Sequence, residues 1–132
     1  MISKLEVQKA AAEIVAAFGS HNSDQYFSAF DPQATFIFHN TNTVLRNRFE
    51  YEKLWKVWES EGFHVISCES TQPLIQIISS EVAIFTHHVA TQSTFGFGST
   101  VTQERETIIF RLVNQKLLGI HEHLSLNPNF LS

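Results

Sequence analysis

Glu104-Arg105-Glu106-Thr107-Ile108-Ile109-Phe110-Arg111-Leu112-Val113-Asn114-Gln115-Lys116-Leu117-Leu118-Gly119-Ile120-His121-Glu122-His123-Leu124-Ser125 is the stretch around which the chain is organised. Its first arm, Glu104 to Leu112, is rich in the β-branched and aromatic residues that suit a pleated, half-buried surface. Its second arm, Leu117 to Leu124, has a shorter apolar core. Val113-Asn114-Gln115-Lys116 between them is the polar turn that a hairpin needs. With Asn114 and Gln115 as the two loop residues, pairing counted outward sets His121 opposite Ile108 and His123 opposite Glu106. Side chains alternate along a strand, so Glu106, His121 and His123 are expected on one face. Arg105, Thr107 and Glu122 are expected on the other, where a diagonal Arg105–Glu122 pair would support a dimer interface. A Glu and two His are costly to bury on one sheet face without a purpose. Glu106, His123 and His121 are therefore the candidate catalytic residues.

Working outward, the chain before this hairpin also reads as strand. Phe63 to Ser70 and Leu74 to Ile78 form one run, kinked at Gln72-Pro73. Val82 to Thr94 is a second, and the Phe95-Gly96-Phe97-Gly98 loop leads into a third at Ser99. His87 shares the parity of Phe85 and Val89, and His88 points the opposite way. The N-terminal part is helical. Ser3 with Glu6 three residues on is a capping box. Val7, Ala10, Ala11, Ile14, Val15 and Phe18 then repeat at helical spacing, which predicts a helix over residues 4–18 ending at Gly19. Ser23-Asp24 starts a shorter helix through Tyr26, Phe27 and Phe30, stopped by Asp31-Pro32. Ala34 to His39 is a strand. Asn47 with Glu50 caps a third helix, on which Tyr51, Leu54, Trp55 and Trp58 line one face up to Gly62. Helices gathered before a run of long antiparallel strands give an α+β class. A strongly curved sheet wrapped around those helices would leave a conical cavity, and twelve Phe supply aromatic walls for it.

The chain has 132 residues, which predicts a single domain over 1–132 with a real core. Hydrophobic residues make up 43% and charged residues 17%, in the range of a globular protein. The net charge is −4 and the nine basic residues form no cluster, which argues against a nucleic-acid partner. No apolar run approaches the ~20 residues of a membrane span. The N-terminus lacks the layout of a signal peptide, and the single cysteine, Cys68, excludes an internal disulfide. A cytoplasmic protein is the expectation.

Glu106 beside His123 is the expected acid/base pair, since burial raises a carboxyl pKa and a nearby imidazolium lowers it. A structural Glu–His contact that fixes the sheet is the competing reading. His121 and His123 could hold a metal with His39 or His87 as third ligand, but the wider ligand spacing of zinc motifs is absent. No tightly bound metal and no cofactor are expected. His87, Tyr26, His39, Trp55, Ile108, Phe110 and Val89 are the expected ligand-binding wall for a small apolar or aromatic molecule. Ile84, His88, Ile109, Leu118 and Ile120 alternate onto the opposite face, which is expected to pack a homodimer.

Four stretches carry a family resemblance: Ile120-His121-Glu122-His123-Leu124-Ser125, Arg105-Glu106-Thr107, Asp31-Pro32 with Thr35 and Ile37, and the strand from Glu81 to Gln92. In their order and over nearly the whole chain, the sequence resembles the nuclear transport factor 2-like superfamily, in its SnoaL-like branch. It is similar also to the association domain of calcium/calmodulin-dependent protein kinase II. The resemblance implies a cone-shaped, cystatin-like α+β fold, with three N-terminal helices on a curved, mixed but mostly antiparallel sheet. It also implies a small-molecule cavity, as in the ketosteroid isomerase-like members. Two function classes stay open. One is an isomerase, hydrolase or cyclase-type enzyme using Glu106, His123 and His121. The other is a non-catalytic ligand-binding and dimerisation module. A metal-dependent protein built on His-x-His is a third. Fold alone does not choose among them.

Overall fold

The computed structural model describes residues 1–130. Helix α1 (Lys4–Gly19) opens on the expected capping box, with Ser3 Oγ accepting from the Glu6 N–H at 3.2 Å and Glu6 Oε1 from the Ser3 N–H at 3.1 Å. It buries Val7, Ala11, Ile14 and Ala17, one stripe of a helical surface. Its end lies close to the sheet: a Cβ on Gly19 would sit 3.1 Å from the Cys68 backbone nitrogen. Helix α2 (Ser23–Ser28) is capped by Asn22. It is shorter than expected, because Phe30 already belongs to β1 (Phe30–Phe38). Pro32 therefore sits inside a strand rather than ending a helix. That is tolerated because β1 is an edge strand, where a missing N–H breaks no central ladder. Helix α3 (Arg48–Ser60) is capped by Asn47, whose side chain accepts from the Glu50 N–H. Gly62 follows at φ 96°, the left-handed conformation that ends helices.

The remaining strands are β2 (His64–Ile77), β3 (Val82–Thr94), β4 (Ser99–Val113) and β5 (Lys116–Leu126). The five form one sheet in the order β1-β5-β4-β3-β2. All neighbours are antiparallel except β1 and β5, so the sheet is mixed. β2 is continuous through Gln72-Pro73. Gln72 takes φ 53° there, and the pairing with β3 shifts between Thr71 and Leu74. The helices lie on one face. There Trp55, Tyr26, Phe30, Phe36 and Phe110 are fully buried side chains at the centre of an aromatic core. Contacts such as Phe36–Tyr51 and Phe38–Tyr51 tie β1 to α3. The opposite face carries Ile84 and Ile109, half-buried. Among the described residues, no helix is long and apolar enough to cross a membrane.

The last hairpin decides what the core-facing side contains. Asn114 and Gln115 are its loop residues, at φ 49° and 67°, as a two-residue turn that follows the strand twist requires. The pairs nearest the turn, Val113–Lys116 to Phe110–Gly119, follow the expected register. Between Phe110 and Ile109 the register slips by one residue, and Ile120 is the extra residue on β5. Such a bulge sends every later side chain to the other face. Ile108 pairs with Glu122, Thr107 with His123, and Ile109 with His121. The expected pairings of His121 with Ile108 and His123 with Glu106 are corrected accordingly.

Candidate functional site

Glu122, not the flanking histidines, joins Glu106 on the inner face. Glu106 is 8% exposed and Glu122 1%, so two carboxyl groups are buried beside the aromatic core. Tyr26 from α2 donates its hydroxyl to Glu122 Oε1 at 3.2 Å. The Tyr51 hydroxyl, from α3, lies 2.9 Å from that of Tyr26 and so donates to it. Behind Glu106 stands His87 on β3, whose Nε2 lies 2.6 Å from Glu106 Oε1. Ser70 on β2 closes the relay, with Oγ 2.5 Å from His87 Nδ1.

The protonation states follow from burial. Burial lowers the His87 pKa to about 4, so its imidazole is neutral near neutral pH. A neutral ring facing a carboxylate carries its hydrogen on Nε2, where it donates to Glu106, and Nδ1 accepts from Ser70. Burial also raises both carboxyls. Glu122 is raised well above the usual carboxylate range, by burial first and then by the charge of Glu106. Its hydrogen bond to Glu106 pulls the Glu106 pKa back down. Two facing carboxyls cannot both ionise cheaply in a low-dielectric site, and of the two Glu122 is pushed more strongly toward its neutral form. Tyr26 and Tyr51 are likewise pushed up by burial and by Glu122, and stay as hydroxyl donors.

A raised folded-state pKa has a definite sign in stability. Its contribution is full below the ordinary carboxylate range and is lost as pH rises through the folded value, because the unfolded carboxyl ionises first. Glu122→Gln cannot ionise. Its melting temperature should match wild type near pH 4 and exceed it by a gap that widens to several degrees as pH rises, readable by calorimetry across a pH series.

A cavity of about 240 Å³ opens above the pair. Phe18, Tyr26, Phe38, Tyr51, Trp58 and Phe63 form its aromatic wall, and Glu104, Glu106 and Glu122 its acidic side. Glu104 Oε2 lies 2.5 Å from His39 Nε2. Burial raises the Glu104 pKa, and the contact with His39 opposes that rise. Cys68 also lines the cavity, and burial pushes its thiol up to about 12, so it stays protonated.

The expected site residues divide as follows. Glu106, Tyr26, His39 and Val89 line the cavity. His87 contacts Glu106 from the adjoining strand. Ile108 and Phe110 are fully buried core residues and do not line the cavity. Trp55 also belongs to the core, stacked on His21 at 5.0 Å, and its Nε1 has no hydrogen-bond partner among the described residues. His121 and His123 lie on the outer face, and the expected Glu106–His123 contact is replaced by Glu106–His87. His121 Nδ1 is 2.8 Å from Thr35 Oγ1 instead. Burial and then the His123 charge lower its pKa. The Arg105–Glu122 pair is excluded, since Glu122 faces inward. Among the described residues, no group of three or more His, Cys, Asp or Glu comes together as a metal site. Glu122 escapes a reading of the sequence because a regular hairpin would turn it outward. Gly119 within a strand pattern is the signal that marks the bulge.

The model of the SnoaL-like domain family matches residues 7–128. No curated protein matches the chain. Solved structures do. An NTF2-like protein from Cytophaga hutchinsonii superposes with a TM-score of 0.81 at 8% identity, covering 96% of this chain and 100% of that one. The CamKII hub homology domain of Chlamydamonas reinhardtii gives 0.76 at 18% identity, covering 96% and 99%. An NTF2-like protein of unknown function from Prochlorococcus marinus gives 0.78 at 18%, covering 96% and 94%. At these identities the likeness establishes the fold, the α+β nuclear transport factor 2-like architecture.

Proposed function

The chain belongs to the SnoaL-like domain family, and from that premise we propose that it binds a small molecule in the cavity and transfers protons on it. Glu106 is the base and protonated Glu122 the acid. The observation that carries this reading is the buried carboxyl pair facing an aromatic-walled space, with one member oriented by His87 and the other by Tyr26. The pair combines a carboxylate that can take a proton with a neutral acid that can give one, so the two groups fill complementary posts in an isomerase, hydrolase or cyclase-type step. The Ser70–His87 relay holds the Glu106 carboxylate in place and supplies a hydrogen bond without competing for its charge.

Proton transfer next to a carbonyl is the simplest reaction to test. Small cyclic ketones in D2O exchange their α-hydrogens slowly, and NMR follows the exchange. Catalysed exchange, saturating with ketone concentration, is the expected result. Ketone binding without any catalysed exchange would instead support the second reading, a non-catalytic binding and dimerisation module. That reading draws on the outer sheet face, where Ile84, Ile109, Leu118 and Ile120 are only half-buried and the helices are all on the other side. A cytoplasmic homodimer packed through this face accommodates either reading, and light scattering at micromolar concentration tests the dimer.

A further inference from the structure

We infer that the cavity takes an organic cation, a small aromatic or aliphatic amine in its ammonium form, with the nitrogen seated among Glu104, Glu106 and Glu122 and the body against the aromatic wall. This deepens the cavity reading above and rests on it. Two independent features of the cavity point to such a ligand.

The first is its charge. Three glutamates line it, and no lysine or arginine does. Arg48, at the start of the neighbouring helix, is engaged elsewhere. Its guanidinium donates to the Phe30 carbonyl at 2.9 Å and to Glu52 Oε1 at 3.2 Å. An anionic ligand would meet the buried Glu106 and Glu122 with no lysine or arginine to offset them, and the lining histidine, His39, is already engaged by Glu104. A purely apolar ligand would seal those carboxyls from water without giving them a partner, which is costly. An ammonium group supplies both charge and N–H donors. Glu106 Oε1 is occupied by His87 and Glu122 Oε1 by Tyr26, which leaves the second oxygen of each for the ligand side.

The second feature is the wall. Tyr51, Trp58, Phe63 and Phe18 line the same space. Ring faces attract cations, and aromatic enclosures are a recurrent way to hold ammonium groups. A carboxylate floor alone would suit a hydrated metal ion. A carboxylate floor under aromatic walls suits an organic cation. The volume of about 240 Å³ lies below the ~300 Å³ where drug-sized pockets begin, so the ligand is about one ring with a short chain.

Three probes of nearly one shape separate charge from shape: benzylamine, benzyl alcohol and benzoate. Titration calorimetry on the full chain near neutral pH should give benzylamine an affinity at least about tenfold above that of benzyl alcohol, with benzoate the weakest. The double variant Glu106→Gln/Glu122→Gln should lower benzylamine affinity by about tenfold or more and leave benzyl alcohol within about threefold. Should that variant fail to fold, Glu104→Gln alone should still weaken benzylamine selectively. Equal affinity for amine and alcohol would overturn the inference while leaving the cavity reading intact. Unchanged benzylamine binding in the folded glutamine variants would overturn it as well. Failure of all three probes to bind at about 1 mM would count against both the cation and the cavity.

Discussion

Glu106→Gln is expected to slow exchange of a cavity-bound ketone by about 10²–10⁴-fold, the usual contribution of a positioned general base. The substitution keeps the shape of the side chain. Its amide oxygen can still accept from His87 Nε2–H, which lies 2.6 Å from Glu106 Oε1 in the native protein. What it removes is the electron pair that takes the proton. Binding should therefore hold within about threefold, because an interaction made only in the transition state lowers turnover without touching affinity. A purely structural Glu106 behaves differently. The melting temperature would fall, and ketone affinity would fall with it. His123→Ala is the matched control. His123 is exposed on the opposite face, so its loss should leave exchange unchanged.

Gly119→Val is the second large effect, a loss of about 3 kcal/mol in urea unfolding. A Cβ at this position would sit 2.6 Å from Phe30 Cδ1 and 2.7 Å from Cε1. Phe30 is fully buried and packed edge-on against Tyr26 and Phe36, so its ring has no free space to move into. The Gly119 N–H also donates to the Ala29 carbonyl at 3.0 Å, which ties the end of α2 to the bulged strand. The damage should reach the site, because the same bulge turns Glu122 inward and Tyr26 lies between Phe30 and Glu122. A cost under about 0.5 kcal/mol would mean that Phe30 yields, and that the bulge does not depend on this close approach.

The elements were largely legible in the sequence, and the site was not. Capping signals at Ser3 and Asn47 and the stop at Gly62 mark helices because they answer local backbone needs. The Asn114-Gln115 turn was legible for the same reason. The facing of β5 depends on a single inserted residue, Ile120, and strand alternation amplifies that local event into a reversal of every side chain beyond it. Hence the His-x-His pair, the most conspicuous motif, lies outside, and the Glu between its histidines is the buried group. His87 is buried, in keeping with its parity with Phe85 and Val89 on a regular strand, but it stands behind Glu106 and does not itself line the cavity. Its partnership with Glu106 depends on how β3 and β4 pair across the Phe95–Gly98 loop, and on the bulge that removes His123 from competition. Phe110, Ile108 and Trp55 were read as cavity wall because burial alone does not distinguish the lining of a space from the filling of one.

We propose that Glu106 and Glu122 share one proton inside the folded protein. Carbon-13 NMR of protein labelled at the glutamate side-chain carboxyl carbons, titrated from acid to alkaline pH, reads this directly, with Glu122→Gln to assign the signal. One carboxyl should keep the shift of a protonated acid well past the pH at which exposed glutamates have ionised, and that signal should be missing from the variant. If every glutamate carboxyl ionises together in the ordinary range, no proton is shared and the acid–base pair does not exist.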